Sequence, residues 1–325
     1  MKNGLIVVIL SLFLMPASSI SAPLSHWKKE WPKTDFSKHS IPLDEIMSGG
    51  PPKDGIPSLD DPKFKPVSEI KNLAETEPVI TLDYKGDVRA YPVRILMFHE
   101  IVNDTVAKEP VLITYCPLCN TAIVFKRVVE GKATEFGTTG NLRHSDLLMY
   151  DRLTESWWQQ FTGKAIVGEM MGTELEFLPS RLEAFSMFKK RYPKGKVLIA
   201  SSTERPYGKN PYVGYDRSKF PMLYQGKYEG NLPPLARVVA VKNKAWSMAL
   251  LREKKKIVEG DLTLTWSKGQ NSALDAQDIS KGRDVGNVVV QRKTSQGYED
   301  VVHVVTFAFA FKAFHPHSKI IGEEE

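Results

Sequence analysis

Cysteine is scarce in this sequence, and its scarcity excludes several kinds of protein. Only Cys116 and Cys119 occur among 325 residues. Two cysteines cannot build the disulfide framework of a small secreted domain or a zinc site with four cysteine ligands. A chain of this length also buries enough surface to fold without a covalent crosslink. The pair is therefore not needed to hold the core together.

Strong charge of one sign and long apolar runs are missing as well. The formal net charge is only +6. The one tight basic run, Lys254 to Lys256, is more typical of a solvated helix end than of a nucleic-acid surface. Beyond the N-terminus, no apolar stretch is long enough to cross a bilayer. We therefore expect no nucleic-acid partner and no stable membrane span after signal cleavage.

The N-terminus has the pattern of an export signal. Lys2 provides a positive start, Leu5 to Met15 form a short apolar core, and small residues follow. This pattern predicts a secretory signal peptide over residues 1–21, cleaved after Ser19 or Ser21. An uncleaved anchor is the alternative. A mature protein in the periplasm or outside the cell would keep its thiols in an oxidising compartment.

Most of the remaining chain reads as short strands separated by turns. This pattern predicts a β-rich α+β protein with two related halves and an extended N-terminal arm. The expected segments are an arm at 22–65 docked by Trp27 and Trp31, a first half at 66–202, a long loop or linker at 203–236, and a second half without cysteines at 237–325.

Individual elements can be placed within this scheme. Residues 78–84 and 88–93 predict a hairpin across a Lys-Gly-Asp turn. Ser180 and Glu183 form a capping-box pattern, which predicts a helix that begins directly after Ser180 and ends before Pro193. The stretch at 203–236 is either a linker or a functional loop over a cleft.

Two pairs of segments suggest an internal duplication. Residues 90–96 resemble 245–251, and 114–123 align without a gap on 265–274. If the segments are copies, Ser267 and Gln270 take the places of the two cysteines. The turn is then expected to form without its sulfurs, which weakens the interpretation of the cysteines as an inert crosslink.

The cysteines lie between two β-branched runs, in Tyr-Cys-Pro-Leu-Cys-Asn. The pattern predicts a strand, a tight turn and a second strand. Proline fixes one φ angle, and Asn120 tolerates the left-handed geometry that follows. Such a turn resembles a metal knuckle that presents two thiolates to one ion.

A knuckle supplies only half of a zinc site, whereas copper(I) accepts two or three soft ligands. The further ligands would be His99 or His144, since each lies close to a predicted strand beside the turn. The metal hypothesis therefore names Cys116 and Cys119 with His99 or His144, and copper or zinc as the ion.

Two other interpretations use the same sulfurs. Cys116 could be the nucleophile and Cys119 the resolving thiol of an oxidoreductase. The run after Cys119 favours a strand, so a thioredoxin-like helix is not expected. Alternatively, the pair could form a structural disulfide in a binding module without enzymatic activity; so small a loop would stabilise by roughly 2 kcal/mol.

Polar residues predict a pocket or a second layer of contacts around the sulfurs. In buried strands such groups must pair with each other or with a ligand. Arg143 is expected to form an ion pair with Asp146 or Asp151. The candidates for this polar layer are Glu100, Asn120, Asn141, Arg143, Asp146, Asp151 and Gln160.

Several motifs together resemble a family of exported bacterial and archaeal proteins that is known only as a domain of unknown function. The resemblance covers most of residues 66–320 and implies export and a Thr-Tyr-Cys-Pro-Leu-Cys hallmark, but no activity, cofactor or catalytic residue. The motifs are Tyr91–Leu96, His99–Asp104, Thr114–Cys119, Asn141–Asp146, Tyr150–Arg152 and Trp157–Gln160.

Overall fold

The computed structural model describes residues 24–200 and 205–323. Within these ranges the helices are α1 Leu24–Glu30, α2 Val93–Leu96, α3 Phe185–Arg191, α4 Met248–Lys254 and α5 Ala308–Phe314. The strands are β1 Ile46–Ser48, β2 Lys63–Pro66, β3 Pro78–Tyr84, β4 Asp87–Pro92, β5 Ile101–Val106, β6 Glu109–Cys116, β7 Thr121–Lys126, β8 Val128–Val129, β9 Lys132–Ala133, β10 Phe136–Arg143, β11 Asp146–Asp151, β12 Trp157–Gln159, β13 Lys164–Val167, β14 Phe177–Leu178, β15 Arg181–Ala184, β16 Lys196–Ile199, β17 Arg237–Val241, β18 Lys244–Ser247, β19 Lys256–Glu259, β20 Leu262–Ser267, β21 Asn287–Thr294, β22 Gly297–Asp300, β23 Val304–Phe307 and β24 Ile320–Ile321.

The strands form five sheets of four or five strands, which are the blades of a five-blade β-propeller. Strands account for 40% of the residues and helices for only 15%, so the predicted α+β class is wrong. The helices are short, and all but α1 follow directly on a strand. Only one helix, the one after Ser180, was predicted, because helices of one or two turns are too short to show a clear helical periodicity.

The sheet that carries the cysteines has the order β14-β7-β6-β5. Strand β6 is buried from Val111 to Cys116, and β7 from Thr121 to Phe125. Both faces of these strands are covered, which explains their continuous rather than alternating apolar pattern. The predicted hairpin over 78–93 also forms, as β3 and β4.

The prediction of two related halves is wrong, because five sheets do not divide into two equivalent halves. The similarity comes instead from two sheets with the same connections, β15-β3-β4-β16 and β23-β17-β18-β24. Segments 90–96 and 245–251 both cover a strand that runs directly into a helix, β4 into α2 and β18 into α4.

The second pair of similar segments does not share a turn. Cys116 ends β6, and β7 begins at Thr121. Ser267 ends β20, but the next strand begins only at Asn287. The expectation that the cysteine turn forms again without its sulfurs is therefore wrong, and the second segment gives no information about what the sulfurs do.

The N-terminal segment packs as expected but is more regular than predicted. Trp27 and Trp31 are buried, and their rings meet Trp157 edge-on at 5.1 and 5.2 Å between centroids. Strand β1 extends the sheet of β10, and β2 pairs with β16. The segment therefore completes two blades rather than merely lying over them.

The helix predicted after Ser180 begins four residues later. Residues 181–184 form β15, which pairs with β3, and α3 starts at Phe185. Glu183 points into the protein, where Thr81 and Arg191 donate hydrogen bonds to it. Glu183 is thus engaged in tertiary contacts, so no capping box forms.

No helix in the described part of the chain is long and apolar enough to cross a membrane. The predicted signal peptide, residues 1–21, lies outside the described residues.

Candidate metal centre

The cysteine turn joins β6 to β7 as predicted. Cys116 pairs with Thr121, and the turn closes with a hydrogen bond from the backbone N–H of Asn120 to the carbonyl of Pro117 at 3.1 Å. Asn120 has a φ of 54°, the left-handed geometry anticipated for it. Both thiols are free, with Cys116 2% exposed and Cys119 fully buried. The structural disulfide is therefore not formed in this structure.

A second hairpin turn, from a different sheet, faces the sulfurs. His144 and Ser145 connect β10 to β11 with φ angles of 55° and 64°. Two successive left-handed residues are typical of a type I′ turn, which favours Asn and Gly. The turn aims the carbonyl of Ser145 at both thiols, with 3.5 Å to Cys116 Sγ and 3.3 Å to Cys119 Sγ. The left-handed backbone of this turn is what directs the Ser145 carbonyl towards the sulfurs.

The next residue, Asp146, completes a cluster of three potential ligands. Its carboxylate and the sulfurs of Cys116 and Cys119 have ligand atoms that all lie within 4.8 Å of one another. Oδ2 of Asp146 accepts hydrogen bonds from Gln159 Nε2 at 2.6 Å and from the backbone N–H of Phe161 at 2.9 Å. Oδ1 is buried and has no hydrogen-bond partner of ordinary geometry, although the thiol of Cys119 lies close enough to the carboxylate to interact with it. Oδ2 is thus held by two hydrogen bonds, whereas Oδ1 lies beside the thiols.

Burial dominates the electrostatics of the cluster. Burial raises the pKa of Asp146 to about 7, although hydrogen bonds from Phe161 and Gln159 oppose the rise. Burial, together with the neighbouring Cys116, raises the pKa of the Cys119 thiol well above its ordinary value. Since desolvation penalises the charged forms, a cation that neutralised these groups would remove that penalty.

Glu100 is a second buried acid next to the cluster. Its backbone carbonyl accepts a hydrogen bond from the N–H of Tyr115 at 2.8 Å, which places it beside the end of β6. The residue is 7% exposed, and no side-chain hydrogen bond or ion pair reaches its carboxyl group from the described residues. Burial, with a contribution from the charge of Asp146, raises the pKa of Glu100 to about 8.

A cavity of about 170 Å³ opens above Cys116. The polar residues that line it are Glu100, Cys116, Thr138, Asn141 and Tyr212, and most of the other lining residues are apolar. On one side lies a bulge between Thr138 and Leu142, where β10 and β11 change register. Bulges often occur next to functional sites, where they redirect side chains. On the outer side, Met222 and Leu223 are 46% and 37% exposed.

Comparison with known proteins identifies the family. The family described as "Protein of unknown function (DUF3179)" matches residues 53–318. The chain belongs to this family. The resemblance inferred from the sequence motifs is thereby confirmed at the level of the family. No curated protein and no solved structure matches the chain.

The two histidines proposed as ligands are engaged elsewhere in this DUF3179 protein. Nδ1 of His99 lies 2.8 Å from the carbonyl of Pro57, and Nε2 lies 2.6 Å from the hydroxyl of Tyr207. His144 Nε2 lies 3.5 Å from a carboxylate oxygen of Glu45, and its ring packs against Phe314. Among the described residues, the cluster with the two thiols contains Asp146 and no histidine.

The other predicted polar residues divide into two groups. Glu100 and Asn141 line the cavity, and Asp146 contacts the sulfurs. Gln160, Asn120, Asp151 and Arg143 do not line the cavity or join the cluster. Gln160 forms hydrogen bonds with Thr114 and Thr121, and Asn120 donates one to the carbonyl of Val305. Asp151 accepts hydrogen bonds from Thr154 and Trp158. Arg143 forms an ion pair with Glu45. The expected ion pair of Arg143 with Asp146 or Asp151 is therefore wrong.

Several contributors escaped sequence reasoning. Ser145 supplies its carbonyl, and Tyr212 with Met222 and Leu223 closes the cavity. The length and irregularity of the loop at 203–236 were the only signal for the last three. The loop is tied to the cysteine turn, since the hydroxyl of Tyr215 donates to the carbonyl of Leu118 at 3.0 Å.

Proposed function

We propose that Cys116, Cys119 and Asp146 bind one metal ion and that the protein is a metal-binding protein with an accessible coordination position. The supporting observation is the cluster itself, two free thiols and one carboxylate with ligand atoms within 4.8 Å of one another. Oδ1 of Asp146, buried without a hydrogen-bond partner of ordinary geometry, strengthens the proposal because such a group costs free energy unless something binds it.

The donor set favours zinc over copper(I). Zinc accepts thiolate sulfur and carboxylate oxygen together, whereas copper(I) prefers soft ligands throughout. Three protein ligands leave a fourth tetrahedral position, as in zinc sites that bind a water molecule or a substrate. Of the three proposed ligands, Cys116 lines the cavity, and we propose that the fourth position opens into it. The elemental analysis below therefore measures copper as well as zinc.

Elemental analysis of protein purified without chelators tests the proposal. The wild type should hold about one zinc ion per chain, with thiols shielded from a thiol reagent until the metal is removed. Cys116→Ser, Cys119→Ser and Asp146→Asn should each lose most of the metal. Asp261→Asn is the control, since Asp261 pairs with Arg292 at the surface. Full metal content in either serine variant would contradict the proposal.

A second candidate function is thiol–disulfide exchange. It is favoured by the free state of both thiols and by the position of Asp146 beside Cys119. Cys116, as the thiolate, would attack the partner disulfide and release one partner sulfur; Cys119, whose proton Asp146 accepts, would then attack the mixed disulfide and release the other. The two electrons and both thiol protons of the pair would end on the two partner thiols, and Asp146 would return to its carboxylate form. The 2% exposure of Cys116 counts against a large protein partner.

A trapping experiment tests this candidate. Cys119→Ser should accumulate mixed disulfides through Cys116 under oxidising conditions, whereas the Cys116→Ser variant should not. Absence of trapped species from the first variant, in protein that is folded and metal-free, would remove the redox candidate.

We also propose that the protein works in the periplasm or outside the cell, because residues 1–21 have the pattern of a secretory signal. N-terminal sequencing of the mature protein tests this: the first residue should be Ile20 or Ala22. A mature chain that still begins at Met1 would contradict it.

A further inference from the structure

The cavity above Cys116 has three properties that specify a ligand: its size, its lack of cations and its unpartnered polar groups. Its volume is about 170 Å³, smaller than the roughly 300–1,000 Å³ typical of pockets for drug-sized molecules. At about 30 Å³ per water, it holds about five or six waters or a ligand of a few heavy atoms. Only a small molecule therefore fits.

The walls contain no group that would hold an anion. None of the described residues that line the cavity is a lysine, arginine or histidine. The proposed ligands add two thiolates and a carboxylate, whose three negative charges exceed the two positive charges of a zinc-type ion. An anion would therefore enter a chamber that is already negative, and like-charge contacts in a buried site are costly.

Two polar side chains that line the cavity have no hydrogen-bond or ion-pair partner among the described residues. The carboxyl group of Glu100, 7% exposed, makes no hydrogen bond or ion pair with the described residues, and the same holds for the hydroxyl of Tyr212. Tyr212 is only half-buried, whereas Glu100 is buried. Buried polar groups in native proteins are nearly always satisfied, so the unpartnered carboxyl group of Glu100 points to a ligand or to bound water. Both groups lie on the same cavity as Cys116.

We propose that this cavity is a chamber for a small uncharged ligand that occupies the open metal position through an oxygen atom and hydrogen-bonds Glu100 through an N–H or O–H group. The proposal rests on the metal-binding function proposed above. Primary amides and small alcohols have this combination of groups. The ligand enters past Met222 and Leu223, whose side chains are partly exposed on the outer wall.

The outer wall of the cavity is hydrogen-bonded to residues beside the proposed metal centre. The hydroxyl of Ser145 donates to the carbonyl of Met222 at 2.7 Å, and the N–H of Met222 donates to the hydroxyl of Tyr215 at 3.3 Å. Ser145 directly precedes the proposed ligand Asp146. A substitution at the exposed side chain of Met222 can therefore change the size of the chamber without touching a ligand or Glu100.

The experiment uses the full-length mature protein loaded with cobalt(II), which reports its coordination through visible d–d and sulfur-to-cobalt bands. Acetamide and acetate are the two probes, because they have the same shape and differ in charge. Acetamide should shift the bands in a saturable manner. Acetate should bind more weakly by at least about tenfold, since like charges in contact are strongly disfavoured.

Variants assign the effect to the chamber. Glu100→Leu should weaken acetamide binding about tenfold through the lost hydrogen bond, and Glu100→Gln, which keeps an acceptor, should restore most of the affinity. Glu169→Leu is the matched control at an exposed glutamate. Met222→Trp narrows the entrance and should weaken binding of the probe with the cobalt spectrum unchanged, even if the Glu100 variants fail to fold.

The outcomes separate the two proposals. Cobalt bands that respond to acetamide but not to acetate support the chamber. Cobalt bands that respond to neither probe, or equally to both, overturn the chamber while the metal centre stands. Absence of sulfur-to-cobalt bands overturns the metal centre and the chamber with it.

Discussion

The hydroxyl of Tyr215 donates a hydrogen bond to the carbonyl of Leu118 at 3.0 Å, inside the cysteine turn. The same hydroxyl accepts a hydrogen bond from the backbone N–H of Met222 at 3.3 Å. One phenol therefore connects the cysteine turn to the outer wall of the cavity. Tyr215 is 4% exposed, so water cannot readily replace these bonds.

Removing this hydroxyl should destabilise the protein. Tyr215→Phe leaves a buried carbonyl and a partly buried N–H without their partner, which costs about 1–3 kcal/mol in the free energy of unfolding. Urea denaturation followed by tryptophan fluorescence measures the difference. Tyr298→Phe is the control, since Tyr298 is 53% exposed. Equal stability of the two variants would show that this hydrogen bond makes no measurable contribution to the free energy of unfolding.

Gln159 should act on the metal through Asp146. Its side-chain amide holds Oδ2 of Asp146 at 2.6 Å, and partners of this kind orient a ligand. We expect Gln159→Leu to lower metal affinity by about 10–100-fold. Competition with a coloured chelator measures the affinity, and circular dichroism checks the fold. Gln296→Leu, at an exposed turn, is the control; an unchanged affinity in Gln159→Leu would exclude a role in positioning.

Gly140 should tolerate no side chain. A Cβ atom there would collide with the carbonyl oxygen of Pro51, which also lines the cavity, and its φ of 73° is left-handed. Gly131 has a similar φ of 76° but open space around it. Gly131→Ala should therefore cost only about 1 kcal/mol of backbone strain, whereas Gly140→Ala should cost clearly more.

Chemical denaturation of the two glycine variants gives both values. The difference between them isolates the collision, since the strain of a left-handed alanine is common to both. Equal costs would mean that the Pro51 segment moves aside freely. Gly140→Ala should also weaken acetamide binding to the cobalt-loaded protein, because the displaced segment forms part of the cavity wall.

Asp87 should make a measurable contribution to acid stability. Burial alone would raise its pKa, but hydrogen bonds from Arg89 and Lys196 outweigh burial and lower it to about 2. A carboxylate with a depressed pKa stabilises the fold above its unfolded pKa of about 3.9. That contribution should be lost as the pH falls from about 4 to about 2.

Urea midpoints measured from pH 5 downwards test this expectation. The wild type should lose more stability between pH 4 and pH 2 than Asp87→Asn, whose side chain does not titrate. Asp44→Asn, at an exposed position, should follow the wild type. Parallel curves for wild type and Asp87→Asn would contradict the prediction.

The cysteine hairpin could be predicted from the sequence because every signal for it is local. Two β-branched runs flank Cys116 and Cys119, and proline and Asn120 supply the turn. The pairing of Cys116 with Thr121 follows from chain connectivity alone. The same holds for the hairpin of β3 and β4, whose turn residues and strand residues are adjacent.

The third proposed ligand could not be predicted, because its position depends on which sheets are neighbours. Asp146 begins β11, which belongs to a different sheet from β6 and β7. Asp146 was named from its polarity as part of a pocket or second layer around the sulfurs, but its position within 4.8 Å of both sulfurs was not predicted. Histidine was preferred as a ligand on chemical grounds, yet both nitrogens of His99 are occupied by Pro57 and Tyr207.

Arg143 illustrates the same limit. Sequence proximity suggested Asp146 or Asp151 as its partner, but Arg143 binds Glu45 of the N-terminal segment, with 2.6 Å between Nη2 and Oε2. Strand β1 brings Glu45 there, since Ile46 pairs with Arg143 in the sheet. Three residues of pairing across a long sequence separation leave no periodic signal that a single sequence would reveal.

The proposed ligands belong to two different blades, which has a consequence for biogenesis. The sulfurs come from the hairpin of β6 and β7, whereas the carboxylate comes from the first residue of β11. Zinc knuckles with all ligands close in sequence capture their ion as peptides and fold around it. Here an ion that needs all three ligands can be captured only after the two blades have docked. Loading would therefore follow assembly of the propeller, and a metal-starved cell would accumulate folded, empty protein rather than unfolded chain.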